Sequence, residues 1–449
     1  MSRPVRRRFA GIPDEFWIGF IIMVGLFLKL YYDMELPYDA GTIRAGVWEP
    51  MKEGLPGGGH IGMMQYYFEM RRLPDFDPRK VMCASNPPLY YISCAVFLHL
   101  THRLMRWPIG TALHVIKCVN VFFVMTGEAV AIGILHRFGV RGRKLVVGIL
   151  FLIFFPPFYH LSASLDGSAA AFMLMMVSIG SVLSWFGSRR FAALRMTAVS
   201  LGLAMMISYR SAMVIPGILI LLIHAKKDGR RNQTPLKRQY PFCAAQFLVL
   251  TLLWPVYLLI RFHVPPFYTE MPNGGEIHIS LLKRLLPIPK LFLVRLQSTG
   301  NASIEYNIWA QTFKTAILDF HAVNMGGAGT RFICGLAILI SAAVCILAHA
   351  GFIYIMFSGR IDRVLCRFLR VGYGGMLAGY LLACFLFPVT GTMRFLYITQ
   401  ILIFPVTGLS LCGTGGESDN LFEKTVTFMA DGLVLILALL TAFLYGFCL

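Results

Sequence analysis

Acidic residues are scarce in this chain, 22 against 41 lysines and arginines in 449 residues, so their positions are informative. Eight of them, Asp33, Glu35, Asp39, Glu49, Glu53, Glu69, Asp75 and Asp77, crowd between positions 33 and 77. Another, Asp166, stands alone in "SASLDGSAAAF" between two apolar runs. Ionisable groups at a membrane boundary are costly to desolvate and as a rule line a cavity or pathway. Both sets therefore point to a polar cavity on one face. Asp166 has a second reading, as the cap of a helix opening at Gly167 or Ser168. Arg210, in "MMISYRSAMVIPG", interrupts the apolar stretch 195–224. Its planar fork suits a carboxylate or a phosphate, a lipid phosphate included. The alternative is a helix break from which the side chain reaches the surface. Arg394, in "PVTGTMRFLYITQ", poses the same choice.

These residues sit in an apolar chain. It is 57% hydrophobic and only 14% charged, where a soluble domain carries roughly 25% charged residues. Runs of 18 or more apolar residues recur from position 15 onward, each long enough to cross a hydrocarbon core of about 30 Å. The predicted class is an all-α polytopic membrane protein. The net charge of +19 comes from short clusters between apolar runs: "RPVRRR" at the start, 137–144, 225–238 and 359–370. That is the positive-inside pattern, which marks the cytoplasmic side and argues against a nucleic-acid partner. The ten cysteines show no metal-type spacing and imply no disulfide framework. No small-residue cleavage site follows the first apolar segment, which therefore reads as a retained helix. Neither a P-loop, nor HExxH, nor GxSxG occurs.

The positioning elements follow from this pattern. Residues 1–14 form a cytoplasmic N-terminus, 15–32 the first transmembrane helix and 33–87 an extracytoplasmic loop. A transmembrane module covers 88–260, a second extracytoplasmic segment 261–329, and C-terminal transmembrane helices 330–449. Alternating sides puts "RFGVRGRK" outside if 88–105 crosses fully, against the charge rule. A re-entrant or juxtamembrane 88–105 removes the conflict and gives about eleven crossings, although 18 residues also suffice to span. Within the loop, 60–73 reads as a short interfacial helix. Ile61, Met64 and Phe68 share one side, while Gln65, Glu69 and Arg72 share a solvated one. Pro74 and Pro78 end it.

Four stretches of the loop, "PYDAG" at 37–41, "GGH" at 58–60, "LPDFDPR" at 73–79 and "NPPLYY" at 86–91, resemble the first outer loop of GT-C membrane glycosyltransferases. They are most similar to the bacterial branch of the protein O-mannosyltransferase/aminoarabinose transferase family. "SASLDG" resembles a later Asp-bearing motif of that family. "MMISYRSAMVIPG" resembles its glycine-and-lysine helix, with Arg210 where lysine is common. Two departures are visible: Asn86 replaces His or Gln before the proline pair, and in "TMRFLYI" Leu396 stands where a "TMxFRYI" pattern has arginine, with Arg394 two positions earlier.

The resemblance implies a GT-C-type bundle of about eleven helices in a bacterial plasma membrane, its first loop carrying short juxtamembrane helices. The implied reaction moves a sugar from a polyprenyl-phosphate donor to a hydroxyl of a glycan, protein or lipid acceptor, with inversion. Asp39 is the implied base, and Arg210, Arg394 and His60 the groups facing the leaving phosphate. Asp166 orients the sugar or, with Asp39, holds a divalent metal (Mg or Mn). Tyr90 belongs to the motif that returns the loop to the membrane and counts, with His60, Asp166, Arg210 and Arg394, among the implied substrate-binding residues. Two other classes stay open. A transporter or flippase of lipid-linked sugars needs a similar cavity, though no internal repeat is visible. A ligase or polymerase of the O-antigen type would use a late loop such as 261–329, with its basic "KRLLPIPKLFLVRL".

Overall fold

The computed structural model describes residues 14–39, 46–51, 54–81, 83–231, 236–265, 282, 285–286, 327–386, 403–410 and 421–448. Among them there are helices and no strand. In hydrocarbon every backbone polar group must be satisfied within its own segment, which selects helices for apolar runs of this length. The chain runs through α1 (Asp14–Glu35), α2 (Gly59–Met70), α3 (Leu89–Leu98) and α4 (Ile109–Arg137). It continues with α5 (Arg143–Phe154), α6 (Pro156–Ala163), α7 (Ser168–Ser188), α8 (Phe191–Met205), α9 (Ile215–Arg231) and α10 (Leu236–Phe262). Last come α11 (Ala328–Phe357), α12 (Arg363–Leu386), a helical segment over 403–410, and α13 (Leu421–Phe443).

Seven of these helices are long and apolar enough to cross a bilayer, or eight if the α5–α6 pair is one span bent by 44°. The bend falls at Phe155, before Pro156 and Pro157. Proline supplies no amide hydrogen there and suits the first turn of a new helix. The count is lower than the eleven runs of the sequence for identifiable reasons. α8 has 15 residues, α12 opens on Arg363, Arg367 and Arg370, and most of 394–412 lies outside the described residues. The 88–105 run is not one of the long apolar helices: α3 is only ten residues and passes into a π-helical turn, His99–Leu104.

α1 lies against α4, α5 and α6, and α7 links α4 to α8, which also carries α10. α9 pairs with α12, and α11 with α13. The α1–α4 contact contains a fully buried ion pair. Lys29 Nζ donates to Glu128 Oε1 and Oε2 at 3.0 and 3.1 Å, to the Ile153 carbonyl at 3.0 Å, and stands 5.1 Å from the Tyr159 ring centre. One turn along, His160 is enclosed by two phenols, with Tyr445 Oη 2.9 Å from Nε2 and Tyr32 Oη 3.4 Å from Nδ1.

Two sequence boundaries shift. α1 does not stop at 32 but runs to Glu35, so Asp33 lies within the helix and is buried. The helix expected at 60–73 is α2, ended at Arg71 in the left-handed region (φ 52°), whose N–H caps the Tyr67 carbonyl at 3.2 Å. Of its expected solvated side, Glu69 and Arg72 are exposed but Gln65 is not, since every residue over 59–67 is buried. The cover comes from the neighbours. α2 packs on α3, the "GGG" turn folds under its start, and Phe68 is held between Trp48 and the His99 ring. The approach at Gly62 is so close that a Cβ there would collide with the Gly57 carbonyl oxygen. Gly62→Ala is accordingly expected to destabilise by about 1–3 kcal/mol, the usual cost of overpacking, read as a lower unfolding midpoint in detergent.

Farther along the loop, α10 reaches back to pin it. Trp254 Nε1 donates to the Ser85 carbonyl at 3.0 Å, and Tyr257 Oη to the Pro74 carbonyl at 2.7 Å. Tyr66 Oη donates to Asp75 Oδ1 at 2.9 Å, and this bond holds the Asp75 carboxyl below its usual range, with Arg72 assisting.

Candidate functional site

The chain leaving α1 is fastened to one face of α4. Lys117, buried, donates to the Leu36 and Pro37 carbonyls at 3.0 and 3.2 Å, groups that a helix end leaves without an intrahelical partner. One turn earlier on α4, His114 meets the Tyr38 ring edge-on at 6.1 Å. Asp39 follows on this fastened segment, four residues past α1, with its side chain exposed. It interacts electrostatically with both Lys117 and His114. Asp33 is the opposite case. It is 1% exposed, neither carboxylate oxygen has a hydrogen-bond partner, and the charge of Lys117 acts on it. The exit of α1 thus holds two carboxylates around one lysine, one sealed and one open to solvent.

Asn120, a turn beyond Lys117 on α4, begins the second half of the site. Its Nδ2 donates to the Ser164 carbonyl at 2.7 Å and lies 3.0 Å from Tyr90 Oη. The aspartate of "SASLDG" is close by. Asp166 Oδ1 accepts from Ser164 Oγ at 3.0 Å and from the Ser168 amide at 2.9 Å. That closes an Asx turn at the entrance of α7, so the capping reading of Asp166 holds for one of its oxygens. The residue itself is half-buried and acts electrostatically on both Tyr90 and Tyr91. Tyr91 Oη in turn lies 2.7 Å from His60 Nδ1 and accepts from Asn86 Nδ2 at 3.3 Å. Asn86, where a histidine or glutamine was the familiar residue, here supports the Tyr91 hydroxyl.

Arg210 lies where the apolar stretch breaks. α8 ends at Met205, a 3₁₀ turn covers Tyr209–Val214, and α9 begins at Ile215. The break docks on the proline motif, because the Leu89 amide donates to the Met206 carbonyl at 3.2 Å. Gly167 is wedged into the same junction with φ +79°. A Cβ there would stand 2.9 Å from Tyr90 Cγ and 2.9 Å from Ile207 Cγ2. Gly167→Ala would thus combine backbone strain with a clash. It is expected to cost about 2–4 kcal/mol and to displace Tyr90, which a lost Tyr90–Asn120 coupling in a double-mutant cycle would register.

The structure therefore brings Tyr90 and Asp166 together beside the turn that carries Arg210. It joins His60 to them through Tyr91, and sets Asp39 one α4 turn away on Lys117 and His114. Arg394 lies outside the described residues. Among the described residues no three His, Cys, Asp or Glu side chains gather to hold an ion. Lys117, His114 and Asn120 were not singled out from the sequence. Their signal was a polar residue every three positions along the otherwise apolar run 111–136, one face of a helix. No protein-family model and no curated protein matches this chain by sequence.

Proposed function

We propose that this protein is a membrane glycosyltransferase of the GT-C type, which moves a sugar from a polyprenyl-phosphate donor to an acceptor hydroxyl with inversion at the anomeric carbon. About eleven crossings, a bacterial plasma membrane and a site on the extracytoplasmic face belong to the same reading. The observation that supports it is an exposed carboxylate, Asp39, held on a rigid support at the exit of the first helix, next to a buried polar group built from Tyr90, Asn120 and Asp166. In the reaction the acceptor oxygen attacks the anomeric carbon as its proton passes to the Asp39 carboxylate. The bond from that carbon to the phosphate oxygen breaks, and the lipid phosphate leaves with the electron pair. Arg210, and Arg394 by resemblance, are the cations for that phosphate. Lys117 is a positioning residue, since its ammonium is spent on two backbone carbonyls. His60 reaches the site through Tyr91 and acts on the leaving group only if that bond opens. Asp166 keeps one oxygen for the sugar. No step here requires a metal.

A transporter of lipid-linked sugars is the second reading, favoured by the charged groups sealed inside the helical body, Lys29, Glu128 and Asp33. The deciding experiment measures release of polyprenyl phosphate from a panel of radiolabelled polyprenyl-phosphate sugars, with acceptor-containing membrane extract present. Release with transfer of label to an acceptor supports the enzyme. Donor binding without release, across the panel and several extracts, sinks it and leaves the transporter.

A further inference from the structure

A cleft of about 690 Å³ opens between the C-terminal end of α2 and the outward side of α3, and it shares no lining residue with the site around Asp39 and Asp166. Three basic side chains converge on it. Arg71 and Arg103 both act electrostatically on His99, the residue at which α3 turns π-helical. Arg72 also lines the cleft but is matched by Asp75 at 2.8 Å. Arg71 and Arg103 have no acidic partner among the described residues. Two further polar atoms, His99 Nε2 and Tyr67 Oη, are buried at the cleft with no hydrogen-bond partner.

The opposite wall is apolar. Ile92, Val96 and Leu104 line it on one stripe of α3 and the π turn, and Val96 and Leu104 are 65% and 73% exposed. Two unmatched guanidinium groups, two orphaned polar atoms and an exposed apolar strip together describe an amphiphile with an anionic head. A soluble anion would leave the strip unused, and an uncharged lipid would leave the arginines unmatched.

We propose that this cleft binds the phosphate headgroup of an anionic membrane lipid on Arg71 and Arg103, with its chain laid along Ile92, Val96 and Leu104. Guanidinium groups pair with phosphate oxygens through parallel N–H bonds. The proposal is independent of glycosyl transfer and requires only that α3 meet the membrane.

The test titrates purified full-length protein in neutral detergent with phosphatidylglycerol, phosphatidylcholine or inorganic phosphate, read by native mass spectrometry. Wild type should bind phosphatidylglycerol about tenfold or more tightly than phosphatidylcholine. Arg103→Gln alone should remove about tenfold of that affinity, the scale of one charge-assisted contact. Arg71→Asn, which tolerates the left-handed backbone, should behave alike. Arg79→Gln, at an ion pair with Asp77 outside the cleft, should change nothing. Equal affinity for the two lipids overturns the proposal, as does an unaffected Arg103→Gln variant. Displacement of the lipid by inorganic phosphate at equal concentration also overturns it, because the ligand would then be a free anion. The lipid comparison is made on wild type, so it stands even if a variant fails to fold.

Discussion

Removing either member of the Lys29–Glu128 pair alone is expected to cost about 3–5 kcal/mol, the penalty for leaving one buried charge without its partner. Both side chains are 0% exposed, and Lys29 also satisfies the Ile153 carbonyl beside the α5–α6 bend. Lys29→Met therefore strands a carboxylate and a carbonyl together, and Glu128→Leu strands an ammonium. The double variant Lys29→Met/Glu128→Leu removes both charges, and an apolar replacement of a buried pair is often neutral or stabilising. The expected pattern is thus two severe single variants and a double variant that regains most of the loss. Unfolding midpoints in detergent, combined as a double-mutant cycle, read it directly. Single variants within about 1 kcal/mol of wild type would mean that the pair contributes no more than a surface bridge.

Asp39→Asn is expected to lower turnover by about 10²–10⁴-fold, the range over which a positioned general base acts, while donor affinity stays within a few-fold. The substitution keeps the shape of the side chain and removes the proton acceptor. Because Asp39 is exposed and its supports are made by Lys117 with Leu36 and Pro37, the fold does not depend on its carboxylate. Loss of turnover then reads as chemistry, provided the unfolding midpoint is unchanged. Asp39→Glu should recover part of the rate, since the acceptor is present though displaced by one methylene. Turnover retained in Asp39→Asn would remove the base from this residue. Asp33, sealed behind Lys117, cannot take over the task without opening the α1–α4 contact.

Much of this was readable beforehand where the signal is local. Apolar runs announce helices because each must satisfy its own backbone across about 30 Å, and α4, α7, α10 and α11 fall close to their runs. Asp166 before Ser168 was legible as a cap because that bond spans two residues. The break at Arg210 was legible because a charge interrupts an apolar run. The end of α1 was drawn too early because Asp33 and Glu35 look like solvent. Among the described residues it is Lys117, far along the chain, whose charge acts on the buried Asp33. Lys29 and Glu128 were not singled out, because their meaning appears only when positions 99 residues apart meet. The π turn at 99–104 leaves no mark in hydropathy, so the cleft around His99 was invisible.

The two bonds from α10 to the first loop carry a consequence in time. Trp254 follows Ser85 by 169 residues, and Tyr257 follows Pro74 by 183. At a synthesis rate of roughly 5–20 residues per second, the loop waits roughly 8–37 s after emerging before its clasp exists. During that interval it is held by what it brings with it: α2 against α3, and Tyr66 on Asp75. The polar wall of the site is therefore among the first parts made, yet it is locked only once α10 has followed. A ribosome stalled before α10 would leave a chain with every loop residue present and the loop unclasped.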